Sequence, residues 1–198
     1  MNTKSLTFAV MMGALGSALF AISYSITPIA PSIAFDFSLI GVLVAGYYGG
    51  PKTGFLTGLI AGILPGIMFG PMGQGGALAL VALPFGKALT GMMVGLLSTR
   101  IKFGQKPKLA ILAIPVTLLA FIPETLFTWG YFLLLFRENM ALGTSVYFTV
   151  LTKALIEVTI MGIVMMVLLR NNGFSCYVRS RFFSGNTASG KQLSPSSI

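Results

Sequence analysis

The sequence predicts an all-α integral membrane protein, a bundle of about six transmembrane helices with both termini on the cytoplasmic side. Three observations lead there. The 198 residues are 55% hydrophobic and only 9% charged, too few charges to solvate a soluble surface of that size. Apolar runs long enough to cross ~30 Å of hydrocarbon alternate with short breaks rich in Gly, Pro and charge. The basic residues collect in every second break, as the positive-inside rule requires.

The first span covers about residues 6–24 and exceeds the ~7–15 apolar residues of a signal-peptide core. It ends at Thr27-Pro28-Ile29-Ala30-Pro31. The second is expected over 34–48, closed by the turn Gly49-Gly50-Pro51-Lys52, and the third over 53–69. After the glycine-rich loop 70–76 the fourth spans 77–97 and runs into Arg100, Lys102, Lys106 and Lys108. The fifth, 109–136, is long enough to tilt or to break near Pro115 and Pro123. Arg137-Glu138-Asn139 is a polar turn, and the sixth span covers 144–169. Residues 1–172 are thus expected to form one transmembrane domain. Residues 173–198, rich in Ser, Gly and Asn, are expected to form a flexible cytoplasmic tail.

With the N-terminus inside, Lys4, Lys52, Arg100, Lys102, Lys106, Lys108, Arg170, Arg179, Arg181 and Lys191 are cytoplasmic, and Arg137 alone lies outside. The net charge of +9 is therefore read as a signal of orientation in a multi-pass cell-membrane protein, not as a nucleic-acid footprint. Cys176 is the single cysteine and histidine is absent, which removes the usual metal ligands and nucleophile–base pairs. No cofactor and no enzymatic activity are expected. The chain has no Gly-x-x-x-x-Gly-Lys-Ser/Thr phosphate loop, so energy for uphill transport must come from a partner or an ion gradient.

Two ridges of small residues stand out. Ala9, Gly13, Ser17 and Ala21 recur every fourth position in the first span, with Ala14 and Ala18 beside them. Gly54, Gly58, Gly62, Gly66 and Gly70 do the same in the third. Residues four apart share a helix face, and small ones let backbones approach closely in lipid. For the third span this reads as packing inside the bundle. For the first, internal packing and docking of an external partner are both open.

Four ionisable residues lie within the spans: Lys87, Glu124, Lys153 and Glu157. Each costs about 2.5–3.5 kcal/mol in hydrocarbon on insertion scales, so they are expected to pair or to line a cavity. Counted from the outer ends of their spans, Lys87, Glu124 and Lys153 all fall about 14–18 Å deep. Glu157 sits one turn beyond Lys153 on the same face. Two arrangements are compatible with this pattern. One is a closed network in which Glu157 holds Lys153 and Glu124 holds Lys87. The other is a site facing a polar solute, to which Thr128, Trp129 and Tyr147 would add a hydroxyl and planar rings. The segment 25–36 sits outside, over that level, as a connection or a lid, and Asp36 suits the N-terminus of the second span.

Ile33-Ala34-Phe35-Asp36-Phe37-Ser38 and Ala45-Gly46-Tyr47-Tyr48-Gly49-Gly50-Pro51-Lys52-Thr53-Gly54, with the small ridge of the first span, resemble the substrate-binding S components of energy-coupling factor (ECF) vitamin transporters. The likeness covers about residues 5–170. It implies a six-helix bundle that captures a small water-soluble vitamin or related micronutrient near its outer face. It also implies a pocket drawn largely from the last three spans, agreeing with Lys87, Glu124 and Lys153. Docking to a membrane coupling (T) subunit joined to two ATPases would run through Ala9, Gly13, Ser17 and Ala21. The solute itself is not specified. A self-sufficient secondary transporter or channel is the main rival, because Pro65-Gly66 and Pro115 can break helices around a midplane site.

Overall fold

The structure, a computed structural model, describes residues 1–26, 36–72, 75–101, 103 and 107–183. Helix α1 is Thr3–Ile26, α2 Leu39–Gly49, α3 Pro51–Phe69 and α4 Ala79–Ile101. A 3-10 stretch, Pro107–Leu112, leads into α5, Ala113–Leu135, followed by α6, Met140–Arg170, and α7, Asn172–Phe183. Among the described residues there is no strand. Five helical segments are long and apolar enough to cross a membrane: Thr3–Ile26, Pro51–Phe69, Ala79–Ile101, Leu109–Leu135 and Met140–Arg170. The protein is an all-α membrane protein on that ground.

The second expected span differs. α2 has 11 residues and so reaches only about 16 Å, half of a hydrocarbon core. Eight of those residues are buried, and α2 packs on α1, α3 and α4. Its run of Leu, Ile, Val and Ala is apolar on all sides because protein, rather than lipid, surrounds it. The expected start at 34 and most of the segment 25–36 lie outside the described residues. At its far end Gly50 turns the chain at φ 80°, which favours glycine, and Pro51 opens α3 at a position needing no N–H partner.

The α3 ridge is internal. A Cβ on Gly54 would strike the Gly91 carbonyl, one on Gly58 the Lys87 carbonyl, and one on Gly62 the backbone of Pro84. These are consecutive turns of α4, so the two backbones cross with almost nothing between them. Gly70 serves differently: its N–H closes the helix on the Gly66 carbonyl at 3.0 Å.

The α1 ridge is split between two faces. Ala9 is fully buried, and Thr57 Oγ1 donates to its carbonyl at 3.2 Å. A Cβ on Gly13 would come within 2.7 Å of Ile60 Cγ2. Both residues pack on α3 and are not on the outer surface. Ser17 is half-buried, whereas Ala14, Ala18 and Ala21 are exposed.

The tail expected to be flexible begins as a helix. Phe174, Val178 and Phe182 recur every fourth residue and give α7 an apolar face that the polar composition conceals. Val178 is buried, Phe182 lies 4.9 Å and Phe183 5.3 Å from Phe8 between ring centroids, and Phe174 lies 5.8 Å from Tyr48. The Tyr48 hydroxyl donates to the Leu168 carbonyl at 3.3 Å and lies 2.9 Å from Ser175 Oγ. These contacts tie α7 to the start of α1 and the end of α2. Residues 184–198 lie outside the described residues.

Tyr48→Phe should weaken this docking by about 1 kcal/mol, a typical hydrogen-bond contribution. Trypsin cleavage at Arg179 and Arg181 in the native protein is then expected to be about fivefold faster, read by limited proteolysis. An unchanged rate would mean that the aromatic contacts alone hold the helix.

The same packing gathers Lys4, Lys52, Arg100, Arg170, Arg179 and Arg181 at one end of the bundle, where α1, α3 and α7 begin and α4 and α6 end. The opposite end carries Arg137 and Glu138 in the α5–α6 turn.

Candidate functional site

The charged residues of the bundle interior meet around the start of α2. Residues 36–38 are not yet α-helical, and their polar backbone must find partners within the protein. Asp36 provides them in two ways. Its Oδ1 accepts the Ser38 N–H at 3.0 Å and the Ser38 hydroxyl at 2.5 Å, closing the turn that leads into α2. Its own N–H donates to Glu157 Oε1 on α6 at 3.2 Å. The other carboxylate oxygen, Oδ2, accepts from Lys87 Nζ at 2.5 Å. Lys87 is only 4% exposed, eight residues into α4.

The α3–α4 crossing aims this lysine. Because the Lys87 carbonyl rests against Gly58, α4 cannot rotate without separating from α3. One turn further on, Thr90 hydroxyl donates to Glu124 Oε2, which brings α5 into the group. Gly86 leaves room for that approach, since a Cβ there would lie 3.2 Å from Glu124 Cγ. On α6, Lys153 Nζ pairs with Glu157 Oε1 at 3.4 Å. Lys87 lies in the electrostatic field of Asp36, Glu124 and Glu157 together.

Lys87, Glu124 and Lys153 therefore converge from three helices, and the spacing of Lys153 and Glu157 forms the anticipated i,i+4 pair. The partner of Lys87 is different from the one the closed network assumed. Asp36 takes the lysine, and Glu124 takes a threonine. Asp36, Ser38 and Thr90 were not among the sequence-based site residues. Two signals pointed to them: Asp36 is one of only four acids in the chain, and Thr90 sits three residues after Lys87 on the same helix face.

The aromatic and hydroxyl candidates are less central. Tyr147 is buried and its hydroxyl donates to the Thr125 carbonyl at 3.4 Å, while its ring lies 6.4 Å from that of Trp129. Trp129 is 45% exposed and lies about 140° around α5 from Glu124, as a five-residue separation requires. It sits at the edge of the group. Thr128 is partly buried one turn beyond Glu124 on the same face, with no hydrogen bond of its side chain among the described residues.

Among the described residues, every fully buried side-chain nitrogen or oxygen has a hydrogen-bond partner. Glu124 uses Oε2 for Thr90, and among the described residues Oε1 has no hydrogen-bond partner. Chemically the group offers two ammonium and three carboxylate functions fixed on a frame of four chain segments. No set of His, Cys, Asp or Glu among the described residues could hold a metal ion. No protein-family model, curated protein or solved structure matches this chain.

Proposed function

We propose that the protein is the membrane-embedded substrate-capture subunit of an ECF-type importer in the cell membrane. In this reading, both termini are cytoplasmic, and the charged group between α2, α4, α5 and α6 binds a small water-soluble vitamin or related micronutrient near the outer face. The observation that carries this reading is the non-helical segment at Asp36, deep in the bundle, with its carboxylate on Lys87 and its N–H on Glu157. Irregular backbone at membrane depth is tolerated where protein buries it or where it lines a cavity, and backbone of this kind surrounds solute sites in transporters.

The clustering of six basic residues at one end supports a cytoplasmic placement of that end. Energy comes from separate ATPase subunits through a membrane coupling subunit, since the sequence has no nucleotide-binding loop of its own. The coupling subunit docks on the open side of α1, where Ala14, Ala18 and Ala21 are exposed beside Ser17. Ala9 and Gly13 support that face from behind by packing on α3.

A second reading, a self-sufficient secondary transporter, is favoured by the same short α2 and the non-helical residues 36–38 before it. One pair of measurements separates them. The detergent-purified chain is expected to carry one small molecule, seen as a mass increment in native mass spectrometry. Reconstituted alone in vesicles, it should move none of that molecule across the bilayer. Transport by the chain alone would replace the importer-subunit reading with the secondary transporter. Absence of any bound molecule would count against both.

A further inference from the structure

We infer that the captured solute carries a positive charge, and that Glu124 receives its cationic group. This deepens the proposed capture function and depends on it.

Three of the four acids in a chain of net charge +9 converge on one interior group, and only two lysines answer them. Lys87 pairs with Asp36 and Lys153 with Glu157. The N-terminus of α2 spends its positive end on Asp36 through the Ser38 N–H. Glu124 is left over: among the described residues it makes no ion pair, and its sole hydrogen bond is from the neutral Thr90 hydroxyl. One negative charge is therefore in excess at a depth where an uncompensated charge is costly.

A proton on Glu124 can hold the empty group neutral. A cationic ligand replaces it, leaving every charge paired. The geometry of Glu124 fits this exchange. Oε2 is fixed by Thr90, which orients the carboxyl, and among the described residues Oε1 has no hydrogen-bond partner. Gly86 keeps the approach of α4 to Glu124 free of a side chain. An anionic ligand would instead have to displace Asp36 from Lys87 or Glu157 from Lys153. A neutral ligand would leave the proton on Glu124 and gain no ion pair from that carboxyl.

The test offers the purified full-length protein an equimolar mixture of choline and thiamine (cations), nicotinamide and riboflavin (neutral), and biotin and pantothenate (anions). Unbound solutes are removed by gel filtration, and those retained are identified by mass spectrometry. The wild type is expected to retain a cation preferentially. Glu124→Gln keeps an oxygen for Thr90 but loses the charge; it should elute as a monodisperse protein and retain at least tenfold less of that cation. Glu124→Asp should keep the preference.

Retention of a neutral or anionic solute in place of the cations would overturn the inference while leaving solute capture standing. So would a Glu124→Gln protein that holds the cation as well as wild type does. Retention of none of the six would count against solute capture itself.

Discussion

Gly58→Leu is expected to abolish the folded bundle. Overpacking a close-packed site typically costs about 1–3 kcal/mol when side chains around it can shift. Here the obstruction is the Lys87 carbonyl and the backbone of Ala88, neither of which can adopt another rotamer. The leucine can be housed only by pushing α4 away from α3, which also opens the neighbouring Gly54–Gly91 and Gly62–Pro84 contacts. A loss of about 3 kcal/mol or more is expected, seen as poor recovery of monodisperse protein from detergent. Gly130→Leu is the control, because a Cβ at Gly130 meets nothing within 4 Å. Normal folding of the Gly58 variant would mean that the helix crossing is looser than described.

Lys87→Met should be the most damaging change within the charged group. It removes one partner of a buried ion pair and leaves the Asp36 carboxylate with only Ser38 to satisfy it. Breaking such a pair on one side costs about 3–5 kcal/mol, and the Asp36 side chain is exposed enough (19%) to favour the lower end. The effect reaches beyond the pair. Asp36 also holds the turn leading into α2 and fixes its own N–H on Glu157, so its displacement loosens the entry of α2 and the α2–α6 contact together. SDS-driven unfolding of the purified protein should shift accordingly, and solute retention should fall below detection. A stability equal to that of the wild type would indicate that Asp36 leaves the bundle at no cost when its lysine is removed.

Long helices and their approximate limits were legible because hydrocarbon imposes a minimum apolar length that few other constraints mimic. The α3 ridge was legible for a related reason: glycine every fourth residue has little use except close approach of another backbone. Its partner was not, since spacing specifies a face and not what that face meets. Three features escaped for identifiable causes. The shortness of α2 was hidden because a helix buried in protein and a helix buried in lipid share one composition. Asp36 read as a helix cap, but the N-cap of α2 is Ser38; one carboxyl oxygen of Asp36 holds the turn ahead of the helix and the other is used by Lys87. The apolar face of α7 was masked by the serines, asparagine and arginines between Phe174, Val178 and Phe182.

The charged residues of the spans illustrate the limit of depth arguments. Counting turns placed Lys87, Glu124 and Lys153 at one level, and they converge. Which acid meets which lysine depended on helix rotation and on residues preceding α2, neither of which a count of turns contains. The split of the α1 ridge has the same origin: Ala9 and Gly13 turn toward α3, and Ala14, Ala18 and Ala21 away from it.

Whether the Asp36–Lys87 pair serves solute capture or merely joins helices is decided most directly by the double variant Asp36→Leu/Lys87→Met. Replacing a buried ion pair by apolar residues of similar size is often neutral or stabilising, so this protein should insert and lose less stability than Lys87→Met alone, the remaining cost being the Ser38 N–H and hydroxyl that Asp36 no longer holds. With the pair acting as part of the site, it should nevertheless retain no small molecule after purification, as read by native mass spectrometry. A stable double variant that still carries the same molecule as the wild type would show the pair to be structural and would contradict solute capture at this group.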